Sequence, residues 1–206
     1  MVYKNLFYRF ILSLLLLLIY YISISHKYLL LFFGTFIYLL ICYEVIKFFK
    51  KLKKLIFLYL FCSYFCFIIF LTKYFDLYII NMLVLTIIIF DTMSYLAGTY
   101  FGKNFIFKKI SPKKTLEGYI GGVLLTNLLI LCYFALFKLD HQLKTLLFFI
   151  NFTILFSILG DLIESFLKRY NKIKDSSTFL PGHGGFFDRF DSLIASIIFL
   201  FLYRLY

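Results

Sequence analysis

Seven apolar runs, parted by short polar gaps, leave this chain few folds to choose from. They are Leu6–Ile24, Tyr28–Val45, Leu55–Leu71, Leu77–Tyr100, Tyr119–Phe137, Thr145–Leu159 and Leu193–Tyr206. Crossing the hydrocarbon of a bilayer takes about 20 helical residues, with a range of about 17–25. The sixth run is short but is expected to continue as helix through Asp161 toward Lys168, leaving the membrane as it goes. The seventh is also short, and Arg204 near its end can snorkel to the far interface. With 63% of 206 residues hydrophobic, no single soluble core could hide the apolar surface. The expected fold is therefore all-α: a polytopic integral membrane helical bundle of about seven transmembrane helices. The first run lacks a small-residue cleavage signature and reads as a retained helix. One membrane domain, 1–206, is expected, with 1–75 carrying no motif and 76–206 forming the catalytic half.

Charge sets the expected orientation. With the N-terminus in the cytoplasm, 17 of the 22 Lys and Arg residues fall on that side and five on the other. This is the positive-inside pattern, and it places the C-terminus outside. The net charge of +12 lies in the gaps between apolar runs rather than on one patch, so no nucleic-acid partner is expected. Both polar motif regions, Gly102–Gly118 and Lys168–Asp191, then lie at the cytoplasmic face. The basic stretch Lys47–Lys54 reads as an orientation signal touching anionic headgroups, with substrate binding as the alternative. Cys42, Cys62, Cys66 and Cys132 all lie inside apolar runs and read as small buried hydrophobes, not as a metal or disulfide set. The 23% aromatic content without Trp fits a compositional bias in the source genome, not a designed interfacial belt.

The acids carry the chemical signal. Of ten, Glu44, Asp76 and Asp140 lie near the ends of apolar runs and read as ordinary interfacial groups. Asp91 and Asp161 lie within or at the end of apolar helices. An ionised carboxylate at that depth costs at least ~2.5–3.5 kcal/mol and persists only if paired, protonated, bound to a cation or facing water. A buried ion pair with a lysine from a neighbouring element is one reading; a cation site is the other. On a helix, Glu164, Ser165 and Lys168 follow Asp161 on one face. Gly160 permits close approach of another backbone or a ligand. Asp188 and Asp191 share a second face if the last helix begins there. Two carboxylate clusters on different helices suit Mg2+, which prefers oxygen ligands and usually bridges carboxylates to substrate phosphates.

Between those clusters lies Pro181-Gly182-His183-Gly184-Gly185. It reads either as a plain turn or as a backbone that aims several N–H groups at an anion, with His183 on phosphate or moving a proton. Upstream, Lys108, Lys109, Ser111, Lys113, Lys114, Thr115 and Glu117 form a second polar stretch. Either Ser111 or Thr115 is expected to cap the fifth helix, with Glu117 in its first turn. Capping leaves the four lysines unexplained; they suit a polyanion such as a nucleoside triphosphate or a lipid phosphate.

The run Ser165–Asp191 resembles the signature of the phosphatidate cytidylyltransferases, the CDP-diacylglycerol synthases. So do Ser111–Thr115 with Glu117-Gly118, Gly160-Asp161 with Glu164-Ser165, and Asp91 with Tyr95 and Gly98. The resemblance covers roughly the C-terminal half. Members of that family are usually longer, Leu116 stands where a Trp is common, and Met93 and Ser94 replace smaller residues. The resemblance implies transfer of a cytidylyl group from CTP to phosphatidate, with Mg2+, in a bacterial inner (cell) membrane, and a homodimer. It implies catalytic roles for Asp161, Asp188, Lys168, Arg169, His183 and Arg189. Metal ligands would come from Asp161, Asp188, Asp191, Asp175 and Glu164. Ser111, Lys113, Lys114, Thr115, Glu117, Ser165, Gly184 and Gly185 would line the substrate site. A CTP-dependent polyprenol or phytol kinase, and a small transporter with intramembrane acids, are the competing readings.

Overall fold

A computed structural model of the chain describes residues 14–24, 26–137, 142–179 and 184–205. Lys4, Arg9, the start of the first apolar run, Lys138, Asp140, Pro181, Gly182, His183 and Tyr206 lie outside the described residues. Among those described there are seven helices and no extended strand. They are α1 (Leu14–Ile24), α2 (Lys27–Phe48), α3 (Lys53–Lys73), α4 (Leu77–Phe101), α5 (Leu116–Leu136), α6 (Leu143–Tyr170) and α7 (Phe187–Leu205). Helices α2 to α6 are each long and apolar enough to cross a membrane. The protein is a multi-pass membrane protein built as a helical bundle.

Helix ends follow local chemistry. The Asp76 side chain caps α4, accepting from Tyr78 N at 3.0 Å and Ile79 N at 3.3 Å. Thr115 caps α5 by accepting from Gly118 N at 3.2 Å. Helix α6 runs unbroken through Asp161 to Tyr170, as the continuation of its apolar run implies, and ends with Lys168 and Arg169 in its last turn. Helix α7 starts already at Phe187, ahead of its apolar run at Leu193, with Asp188 in the first turn. Unpaired N–H groups at a helix start favour an acid there.

Within lipid, apolar contact alone drives little helix association, and small residues that let backbones approach do much of it. Helix α5 lies on α4 through such a seam. A methyl at Gly122 would stand 2.7 Å from Ser94 Cβ, and one at Gly118 would stand 3.1 Å from Gly98 Cα. Helix α6 meets α7 at Gly160, where a Cβ would strike the Asp191 carbonyl and Ala195. Helix α7 is tied to α3 by Ser63 Oγ, which donates to the Ile194 carbonyl at 2.6 Å. Asn127 and Asn151 exchange side-chain hydrogen bonds at 3.2 Å between α5 and α6. At one end of the bundle Arg204 pairs with Asp76, joining α7 to α4. At the other end Phe49, Ile56, Leu60, Leu167, Phe187 and Ile194 form a buried apolar floor.

Because the α7 backbone occupies the space a side chain at residue 160 would need, Gly160→Val should overpack that seam. The expected loss is about 1–3 kcal/mol, read as a lower unfolding temperature in detergent; an unchanged melt would contradict the contact.

Candidate active site

Above that floor, α6, α7 and the α4–α5 connection bring acids and lysines together. The Lys168 ammonium lies 2.5 Å from Glu164 Oε2, one turn back on α6, and 2.6 Å from Asp188 Oδ1 on α7. Glu164 is fully buried, and its Oε1 has no hydrogen-bond donor among the described residues. Asp188 turns its other oxygen to the chain before α7. Its Oδ2 accepts from Ser176 N at 2.8 Å, Ser176 Oγ at 2.9 Å and Gly185 N at 2.8 Å. Asp161, one turn above Glu164, forms an ion pair with Lys114 from the α4–α5 connection. The Lys114 ammonium also lies over the Tyr119 ring, 5.6 Å from its centroid. Asp191 is buried within electrostatic reach of Lys114, Lys168 and Asp188, and accepts from Ser192 N at 2.7 Å. Asp91 on α4 lies within reach of Asp191 and Lys114.

Five carboxylates thus face two ammonium groups. The ion-pair reading holds for Asp161, and among the described residues the cluster holds more carboxyls than ammonium groups. Among the described residues no three His, Cys, Asp or Glu side chains close on one point as a ready-made metal shell. The lysines stand between the acids instead. The donor set is hard oxygen throughout, and the unpartnered Glu164 Oε1 adds to it, so its chemistry fits a divalent cation of the magnesium type.

The remaining expected site residues divide into those at this cluster and those around it. Gly184, with φ +80°, and Gly185 lie against Asp188, and Asp175 lies beside Gly184, where a Cβ would come within 3.4 Å of its own. A side chain at Gly184 would strike Asp188 Oδ2. Ser165 is buried on α6. Lys113 is exposed and Ser111 half-buried in the α4–α5 connection. Arg169 braces two connections, its Nε donating to the Ile110 carbonyl at 3.2 Å and its Nη1 to the Ile173 carbonyl at 3.3 Å. Glu117 accepts from Lys103 N at 3.0 Å and Asn104 Nδ2 at 2.7 Å, which pins the start of that connection. Arg189 lies on another flank of α7, on the wall of an apolar cavity of about 310 Å³ that Leu30, Ile37, Phe67 and Leu193 also line.

One residue overturns its sequence reading. Glu44, taken as an ordinary acid at the end of an apolar run, is 0% exposed. Its oxygens accept from Ser177 Oγ at 2.7 Å, Ser176 Oγ at 3.2 Å, Phe186 N at 2.8 Å and Phe187 N at 3.0 Å. The available signal was its position inside the second run, one residue before the last apolar position, where the depth argument used for Asp91 and Asp161 also applies.

The fold and this charged cluster define a membrane-embedded protein whose helices carry acids and lysines at one end of the bundle. The chain belongs to the cytidylyltransferase family, whose model matches residues 2–206. It is 40% identical over 111 residues to a phosphatidate cytidylyltransferase of Bacillus subtilis, covering 54% of this chain and 41% of the relative. Similarity to the enzyme of that name from Staphylococcus haemolyticus is 45% over 106 residues, covering 50% and 40%. For the one from Aquifex aeolicus it is 38% over 154 residues, covering 75% and 56%. The chain thus spans about half the length of the curated relatives it matches.

Replacing Lys168 would leave Glu164 and Asp188 facing one another across α6 and α7. Lys168→Met is expected to destabilise by about 3–5 kcal/mol, the usual cost of breaking a buried pair. Arg169→Gln, on an exposed side chain, should lose under about 1 kcal/mol. Chemical denaturation in detergent distinguishes the two; equal losses would contradict the bridge.

Proposed function

We propose that this protein transfers a cytidylyl group from CTP to phosphatidate, giving CDP-diacylglycerol and pyrophosphate. The observation that carries the reading is the cluster itself: carboxylates from α4, α6 and α7 gathered with Lys114 and Lys168 at one end of a membrane bundle. Family membership over residues 2–206 and the printed names of the relatives support it.

The chemistry asks little of a nucleophilic side chain. A phosphate monoester with second pKa near ~6 is mostly dianionic at neutral pH. One of its oxygens attacks the α-phosphorus of CTP, a new P–O bond forms, and the bond to the bridging oxygen of the β-phosphate breaks. The barrier is the approach of two anions, so positioning and charge stabilisation are what the protein has to supply. Lys168 and Lys114 are the cations within the cluster, and Lys113 at its mouth can meet the triphosphate as it enters. The Gly185 N–H is held by Asp188, so in this reading the Gly184-Gly185 turn positions that acid beside the phosphates. Asp161, Asp191 and Glu164 would hold magnesium, which when bound would neutralise phosphate charge and favour pyrophosphate as leaving group. Asp188 would hold the turn and Lys168 in place rather than offer free oxygens. Arg189 on the wall of the apolar cavity fits a lipid whose phosphate stays near charge while its tails enter hydrocarbon.

In this reading the site faces the cytoplasm of a bacterial inner membrane. The uneven distribution of Lys and Arg supports that orientation, because the charged cluster lies at the lysine-rich end.

The test is purified protein in detergent with phosphatidate, labelled CTP and magnesium. CDP-diacylglycerol and equimolar pyrophosphate are expected, and chelating the magnesium should stop turnover. Asp188→Asn should lower kcat about a hundredfold or more while the protein stays folded, a loss of the size seen when a preorganised charge contact is removed. Release of CDP with a phosphorylated lipid would point to a kinase instead. Unchanged turnover in Asp188→Asn would defeat the assignment of the site.

A further inference from the structure

Glu44 reaches the site from α2, a helix in which the sequence shows no motif. Each of its oxygens takes two hydrogen bonds: Oε1 from Ser177 Oγ and Phe186 N, and Oε2 from Ser176 Oγ and Phe187 N. All of these donors belong to the segment that enters α7, more than a hundred residues further along the chain. A carboxylate accepting several N–H and O–H bonds in a dry site is held strongly, and removing it strands its donors. Phe186 and Phe187 supply N–H groups at the start of α7, which have no partner within that helix.

The same segment is held by Asp188. Ser176 Oγ lies between the two acids, 3.2 Å from Glu44 Oε2 and 2.9 Å from Asp188 Oδ2. Gly185 fills the remaining space: a Cβ there would lie 2.7 Å from both Glu44 oxygens. Beyond the serines, Phe179 stacks on Tyr43 at 5.6 Å. The Lys47 ammonium lies 5.7, 5.4 and 5.5 Å from the Tyr43, Phe48 and Phe179 ring centroids. The last turns of α2 therefore grip both ends of the described part of the segment.

We infer that Glu44 is a positioning residue, fixing the Ser176–Ser177 stretch and the Gly185–Phe187 turn so that Asp188 and Lys168 stand where the reaction needs them. The kinetic part of this inference rests on the cytidylyl-transfer reading; the structural part does not. Glu44→Gln keeps the size of the side chain but turns an NH2 group toward donors.

The test compares wild-type and Glu44→Gln protein in detergent by hydrogen exchange and by transfer kinetics. Exchange across residues 176–188 should rise about tenfold or more, with 77–136 unchanged, as expected for a local opening. The kcat should fall about tenfold or more with KM for CTP within about threefold, the pattern of a contact felt in the transition state. Unchanged exchange at 176–188 would overturn the inference, as would unchanged kcat in a loosened segment. If Glu44→Gln does not survive purification, Ser177→Ala removes a single donor: faster exchange confined to 176–188 supports the inference, and wild-type exchange overturns it. If the wild-type protein makes no CDP-diacylglycerol, the reaction assignment falls, and the exchange comparison still decides the role of Glu44.

Discussion

Lys168, held between Glu164 and Asp188, is the contact on which the site depends. It joins the last turns of α6 to the first turn of α7 by contacting an acid on each helix. The two helices can come close enough for this because Gly160 lets the α7 backbone lie directly on α6. Lys114 does the same for Asp161 from the connection between α4 and α5. Carboxylates this near to lipid are expensive, and among the described residues more acids than lysines gather here.

The cluster holds more acids than a single structural ion pair needs. A pair kept for stability alone is weak, since its desolvation offsets much of the attraction. Here Asp91 and Asp191 lie within electrostatic reach of the three acids and two lysines that make the direct contacts. Oxygen donors of this kind suit a divalent cation. The apolar cavity lies on the other flank of α7, where Arg189 is on its wall.

Much of this was legible in the residues. Hydrophobic run lengths located the helices to within a few positions, because a bilayer core demands a minimum span. The spacing of Asp161, Glu164 and Lys168 announced one helix face, and Thr115 capped α5 as a threonine there should. The start of α7 was less legible: Phe186 to Asp191 mixes aromatics and acids, so hydropathy alone delays the helix to Leu193. Glu44 was misread because its partners lie more than 130 residues away and are two serines and two backbone amides. No local spacing encodes such a contact. Nothing in the sequence signalled that the Lys47 ammonium would sit among three aromatic rings. The expected ligand role of Asp188 also looks different once its second oxygen is seen to accept three bonds from the chain.

The proposal that the acids of this cluster hold a divalent cation has a direct physical test. Mn2+ can stand in for magnesium, and its free-ion paramagnetic resonance signal disappears on binding. Titrating the detergent-purified protein without nucleotide should remove that signal. A double variant, Asp161→Asn with Asp191→Asn, should leave it in place. A wild-type protein that leaves the free-ion signal untouched would contradict the central claim.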